Sequence, residues 1–202
     1  MIITKQQFAA RIISGCNEIK AHEAELTEID SHFGDADHGL TMVKISNAII
    51  DAINSSEDSI REMLNDIADA IMDINGGSSV PLWNSYFEGM RQVAPNTSEI
   101  TLQQLKDIFT GGYNEFADIS TAKIGDKTMM DALILASTGL LSAESVEELF
   151  EIAATEAAFG AEATKNYTAK FGRAKSYGEK TIGTPDAGAL SMSYFFKGMT
   201  KK

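Results

Sequence analysis

At 202 residues the chain is long enough to bury a substantial core without disulfide or metal staples, and is most simply one domain, 1–202. Its 44 % hydrophobic and 23 % charged content is ordinary for a soluble globular protein. A net charge of −12 argues against nucleic-acid backbones and anionic membrane surfaces as partners, so any bound phosphate must be held by metal and backbone. The single cysteine, Cys16, excludes an internal disulfide framework and reads as a small buried residue. No segment approaches the ~18 apolar residues of a membrane span. The start, Met1-Ile2-Ile3-Thr4-Lys5, lacks the basic beginning and apolar run of a signal peptide. A cytoplasmic protein is expected.

Helical periodicity runs along almost the whole chain, and strand alternation is nearly absent. Thr4 with Gln7 forms a capping box ahead of a stripe of Phe8, Ile12, Cys16 and Ile19. A second helix follows Asp37 and turns Met42, Ile45, Ile49, Ala52 and Ile53 inward. The third begins near Ser56, carries Ile60, Met63, Leu64, Ile67 and Ile71, and stops at Asn75-Gly76-Gly77. Ser78-Ser79-Val80-Pro81 opens a fourth, with Pro81 in its first turn. Thr101 with Gln104 caps a fifth, interrupted or loosened by Gly111-Gly112. Gly125-Asp126 starts a sixth, with Asp126 as N-cap and Lys127 solvated. Ser145 with Glu148 opens a seventh that ends around Arg173. After a loop from Ser176 to Thr184, Pro185-Asp186-Ala187-Gly188 leads a last helix to the terminal lysines. The expected fold is all-α: eight antiparallel, up-and-down helices.

That topology has a geometric consequence. The starts of the second, fourth, sixth and eighth helices fall at one end, and those starts carry the unusual loops. They are Gly34 to Thr41, Gly76 to Ser79, Gly125 to Thr128 and Asp186 to Gly188. Each helix start offers unpaired N–H groups and a partial positive charge, so four together suit a polyanion. In the first loop Asp30, Asp35 and Asp37 fall within eight positions. Three carboxylates on one loop repel each other unless a cation sits among them, and hard oxygen ligands beside backbone N–H groups suit Mg²⁺ holding a phosphate. An EF-hand does not fit, because the fifth place from Asp35 is Gly39 and the twelfth is Ser46. A P-loop does not fit Gly125-Asp126-Lys127-Thr128, which lacks glycine directly before the lysine. His38, beside the carboxylates, is a candidate for holding phosphate or ligand, and Arg173 for neutralising phosphate charge. Trp83 and Tyr177 read as packing residues, and His22 and His32 have no assignment.

Taken in order, these segments resemble the L subunit of dihydroxyacetone kinase. The likeness lies in Gly34-Asp35-Ala36-Asp37-His38-Gly39, then Gly77-Ser78-Ser79 with Pro81-Leu82, then Gly125-Asp126-Lys127-Thr128-Met129. It closes with Arg173-Ala174, Tyr177-Gly178-Glu179, Ile182-Gly183, Asp186 and Gly188-Ala189. The resemblance implies a closed helical barrel with a nucleotide site at one end. It implies that Asp30, Asp35 and Asp37 hold two Mg²⁺ ions, and that His38, Gly39, Leu40, Thr41, Gly77, Ser78, Ser79 and Ser120 contact ADP or ATP. Met129 would lie near the base, while Arg173, Asp186, Ala187 and Gly188 complete the pocket. It further implies a separate K-type subunit that binds the ketone through histidine, and a phosphohistidine-carrying phosphotransferase subunit that converts bound ADP to ATP in place.

Val80, Asn84, Thr41 and Ala187 depart from the family's usual residues, but none removes a metal ligand. They leave open which small ketose is served. A second reading is a nucleotide-state sensor signalling to a transcriptional regulator. A third is a kinase of the same fold with another acceptor, such as a fatty acyl group. Homodimerisation stays open in all three.

Overall fold

The computed structural model describes residues 2–56 and 59–201. The readings made on Met1, on Lys202 and on the two residues between Ser56 and Ser59 lie outside the described residues. Short strands β1 (Ile2–Thr4) and β2 (Glu99–Thr101) pair antiparallel, with Ile3 opposite Ile100. Nine α-helices are described: α1 (Lys5–Ala21), α2 (Glu23–Ser31), α3 (His38–Ser55), α4 (Ile60–Met72), α5 (Ser79–Val93), α6 (Leu102–Ile119), α7 (Met129–Gly139), α8 (Val146–Ala163) and α9 (Ala187–Met199). Three 3₁₀ segments, at Leu140–Ser142, Thr164–Asn166 and Arg173–Thr181, fill the connections.

The helical character is as expected, but the count is nine rather than eight. The extra helix is α2. The chain breaks at His22, whose ring nitrogen Nδ1 sits 2.8 Å from the Glu18 carbonyl and whose ring stacks on Tyr194 of α9 at 3.9 Å. The helix then restarts in a new direction and buries Leu26.

Capping boxes form at Thr4–Gln7 and Thr101–Gln104 as read from sequence. Other features differ. The third expected helix begins at Ile60, capped by Ser59, whose Oγ accepts from the Glu62 amide at 3.1 Å, and it ends at Met72. The seventh ends at Ala163, because the Thr164 hydroxyl donates to the Ala161 carbonyl at 2.6 Å and the chain tightens into a 3₁₀ turn. Arg173 therefore starts a separate 3₁₀ segment instead of closing a long helix.

The third difference is at Gly111-Gly112, which neither interrupts nor loosens α6. Both glycines are buried against α5. A Cβ on Gly89 would stand 2.3 Å from the Gly111 carbonyl oxygen, and one on Gly112 2.8 Å from that of Tyr86. Two backbones meet where side chains would normally separate them, so the glycines select the α5–α6 contact.

Successive helices pack as neighbours from α3 through α9, and α1 packs on both α3 and α9. The core is one continuous apolar cluster. On α4, Ile60, Met63, Leu64, Ile67 and Ile71 are fully buried, each contributing roughly 1.5–3 kcal/mol of transfer free energy. Aromatic rings tie α5 and α9 together: Trp83 meets Phe195 edge-on at 5.2 Å, and Phe109 of α6 meets Phe150 of α8 edge-on at 6.0 Å. Trp83 is thus a packing residue. Cys16 is buried, as expected, and burial pushes its thiol up to about 12.

The starts of α1, α4 and α6 are gathered by one segment, through Lys5 N–H to the Ser98 carbonyl at 2.7 Å, Ile60 N–H to Thr97 at 2.9 Å, and the strand pair. At the far end of α1's partner, the Arg11 guanidinium donates to the Met199 carbonyl at 2.7 Å, fixing the C-terminus of α9. Among the described residues no helix is long and apolar enough to cross a membrane. Gly89→Ala is expected to cost about 1–3 kcal/mol in urea unfolding, because the added methyl would meet the Gly111 carbonyl.

Candidate functional site

The starts of α3, α5, α7 and α9 line one cavity of about 480 Å³. These are the four starts that up-and-down alternation places together. The space is large enough for a nucleotide-sized ligand, and helix starts are where backbone N–H groups favour an anion.

One end of the cavity is acidic. Asp30 lies in the last turn of α2, while Asp35 and Asp37 lie in the turn between α2 and α3. One carboxylate oxygen from each stands within 4.8 Å of the other two. Asp37 does not cap α3 with its own side chain. The Asp30 carboxylate takes that part, accepting from the Asp37 amide at 3.1 Å and the His38 amide at 3.3 Å. Gly34 lets this happen, since a Cβ there would sit 2.0 Å from Asp30 Oδ1. Ala36 turns the loop with φ at +60°. Partial burial, then the charges of Asp35 and Asp30, hold the Asp37 carboxyl above its usual range, while Arg173 pulls it back. Arg173 itself pairs with Asp35. Three hard oxygen donors repelling one another beside helix N–H groups fit a Mg²⁺ ion with a phosphate.

His38 faces the cavity wall with both ring nitrogens engaged. Ser191 of α9 donates its hydroxyl to the Gly188 carbonyl at 2.8 Å, so its oxygen is left to accept from His38 Nε2 at 3.2 Å. The other nitrogen, Nδ1, then accepts from the Ser79 hydroxyl at 3.2 Å. Burial lowers the affinity of this imidazole for a second proton. A neutral His38 thereby links the starts of α3, α5 and α9.

The opposite wall is built by α7 and α9. Thr128, rather than Asp126, is the N-cap of α7, in a capping box with Asp131. Asp131 is buried; its two oxygens accept from the Gly125 amide at 2.6 Å and the Thr128 amide at 2.7 Å. Asp126 points elsewhere, accepting from the Lys123 amide at 2.8 Å and pairing with Lys170 at 2.6 Å. Lys127, expected in solvent, is buried with φ at +60°. Asp186 caps α9 through the Ala189 amide at 2.8 Å.

Of the residues singled out from sequence, Asp30, Asp35, Asp37, His38, Thr41, Gly77, Ser78, Ser79, Ser120, Met129, Arg173, Asp186, Ala187 and Gly188 all line the cavity. Gly39 and Leu40 do not. Gly39 is buried against α2, where a Cβ would lie 2.2 Å from Thr27 Oγ1, and Leu40 is 52 % exposed. Both follow from helical geometry, since consecutive residues of α3 point in different directions. Tyr177 packs edge-on at 5.2 Å to Phe33, which lines the cavity. The sequence reading missed Phe33, Phe116, Lys127 and Phe171 as lining residues. Nothing local marks them; only the position of Lys127 between a glycine turn and a helix cap could have raised it.

The mostly helical chain thus sets a carboxylate triad beside converged helix starts. Residues 32–201 match the DAK2 domain, and the chain belongs to that family. It is 30 % identical over 191 residues to the ADP-binding subunit of the PEP-dependent dihydroxyacetone kinase of Escherichia coli, covering 92 % of this chain and 91 % of that one. It is 34 % identical over 183 residues to an L-erythrulose 1-kinase of Mycolicibacterium smegmatis, covering 88 % of this chain but only 32 % of that longer protein. The fold matches the dihydroxyacetone kinase of C. freundii in its native form with a TM-score of 0.75 at 24 % identity, over 96 % of this chain and 34 % of that one. It also matches the same enzyme in complex with AMP-PNP and Mg²⁺, with a TM-score of 0.73 at 22 % identity, over 100 % of this chain and 34 % of that one.

Burial lifts the Asp186 carboxyl to about 6, against the pull of the Ala189 amide and Lys127. A carboxylate raised on folding binds its proton more tightly in the folded state, so its effect is to lower stability as pH rises from its ordinary 3.8 to about 6. In urea unfolding of the ligand-free protein, Asp186→Asn is expected to remove that decline, with a difference on the order of 1–2 kcal/mol between acidic and neutral pH. Parallel pH curves for the two proteins would refute the assignment.

Proposed function

We propose that the chain is the nucleotide-bearing subunit of a multi-subunit kinase for dihydroxyacetone or a related small ketose. In this reading residues 1–202 form a single domain, and the ring of helix neighbours from α1 to α3, on through α9 and back to α1 forms a closed barrel with the site at one end. The observation that carries the reading is the cavity itself: a carboxylate triad at one end, helix starts around it, and Met129 on the far wall. Relatives named as ADP-binding subunits, and a similar fold in the structure of an AMP-PNP and Mg²⁺ complex, support it. Relatives named erythrulose kinases support a small ketose as acceptor.

In this proposal Asp30, Asp35 and Asp37 hold two Mg²⁺ ions, which would supply charge neutralisation on the nucleotide phosphates. The amides at the starts of α3 and α5 would orient the phosphates, with Ser78 presented by the loop before α5. Arg173 would turn from Asp35 toward phosphate once a cation occupies the carboxylates. In this reading the carboxylates serve as ligands rather than as general acids or bases, and the residues act by positioning and electrostatics. The acceptor would come from a K-type subunit, and bound ADP would be recharged by a phosphohistidine subunit. The chain would work in the cytoplasm.

Denaturing the protein as purified and identifying what it releases tests the reading directly. Near-stoichiometric ADP with magnesium is the expected result for a captive cofactor. An empty site that binds neither ADP nor ATP with Mg²⁺ would overturn the proposal. With a K-type partner and a phosphohistidine donor, Asp35→Asn and Asp37→Asn should each lower turnover by about a hundredfold or more while remaining folded. Full turnover in both would remove the metal-ligand assignment. Nucleotide binding without turnover in the wild type would favour the sensor reading.

A further inference from the structure

Lys127 is a buried cation that the phosphate-binding argument does not use. It is 5 % exposed, lines the cavity, and stands at a left-handed φ of +60° immediately before the α7 cap. A non-glycine residue adopts that conformation at a cost, so something must hold it there. Its ammonium reaches across to the connection between α8 and α9. There it donates to the carbonyl of Thr164, just past the end of α8, at 2.6 Å, and to the carbonyl of Thr184, just ahead of α9.

Thr164 extends the link. Its hydroxyl oxygen accepts from the Asp186 amide at 2.9 Å, and Asp186 caps α9. The start of α9 in turn faces α7, with a Cβ built on Gly188 standing 3.5 Å from the side chain of Met129. The charged groups facing Lys127 are Asp186 and Asp131. With two of its three protons on main-chain carbonyls and carboxylates facing it, the ammonium has little left to offer a phosphate. The Asp30 carboxylate is held apart from this link, by the Asp37 and His38 amides, while Arg173, which pairs with Asp35, lies in the segment that Lys127 ties.

We propose that Lys127, by tying the start of α7 to the end of α8 and the start of α9, sets the width of the half of the cavity that receives the nucleoside, and so acts as a positioning residue for nucleotide retention rather than as a phosphate ligand. This rests on the nucleotide reading above. It separates the two ends of the site: losing the strut widens the Met129–Gly188 wall and leaves the cation end intact.

The test uses the full chain freed of bound nucleotide, with three probes: Mn²⁺ alone by electron paramagnetic resonance, and Mg²⁺-tripolyphosphate and Mg²⁺-ADP by calorimetry. Lys127→Met and Thr164→Val are each expected to weaken Mg²⁺-ADP about tenfold, the scale of one orphaned buried polar group. Mn²⁺ and Mg²⁺-tripolyphosphate should change by less than about twofold. Thr164→Val is nearly isosteric and removes the hydroxyl that accepts from the Asp186 amide and donates to the Ala161 carbonyl, while leaving the Thr164 carbonyl that Lys127 holds, so it tests the α8–α9 end of the same link if Lys127→Met does not fold. Unchanged ADP affinity, or equal loss of all three probes, would overturn the inference. A wild type that binds Mn²⁺ and tripolyphosphate but not ADP would instead overturn the nucleotide reading, and the inference with it.

Discussion

Helix starts repel one another, because each concentrates unpaired N–H groups and partial positive charge. Gathering four of them around one cavity is therefore unfavourable unless something negative lies among them. The acidic loop before α3 supplies fixed negative charge, with Asp30 accepting from the Asp37 and His38 amides. Asp131 and Asp186 do the same at α7 and α9. A further side chain of this arrangement, His38, stays neutral and joins α5 to α9 through two serines. The end of the molecule that carries the cavity is thus held by polar bonds in addition to apolar packing.

The remainder of the fold serves to keep those starts in place. Apolar stripes and edge-on aromatic pairs lock the helices lengthwise, while the close backbone approach at Gly89 and Gly111 fixes how α5 meets α6. The gathered starts of α1, α4 and α6 give the other end its own tie through residues 97–101. An error in any helix length would shift a start out of the cavity. Rigid packing along the helices is what lets loops of few residues present a site.

The segment from Thr164 to Asp186 behaves differently. It has no long helix, is mostly exposed, and carries glycines at φ of +61°, +56° and +95° (Gly172, Gly178 and Gly183). It is held by discrete contacts: Lys127 at its two ends, Lys170 to Asp126, and Arg173 to Asp35. Such a strap draws its shape from its neighbours rather than from its own core.

The sequence by itself determined the helical class, the capping boxes at Thr4 and Thr101, the inward stripes and the carboxylate cluster. These rest on interactions between residues a few positions apart, whose geometry is the same wherever a helix occurs. It also marked most of the cavity lining, because loops at helix starts are legible from glycine, serine and aspartate spacing. Only the tertiary structure decided the rest. Gly111 and Gly112 looked like an interruption until α5 lay against them. Lys127 looked solvated until α8 and α9 offered carbonyls 37 and 57 residues away. Asp126 gave up the cap of α7 because Lys170 claimed it, and Gly39 and Leu40 turned from the cavity because α2 covers one and solvent the other. The glycine, lysine and aspartate outcomes depend on partners distant in sequence, of which local spacing holds no record.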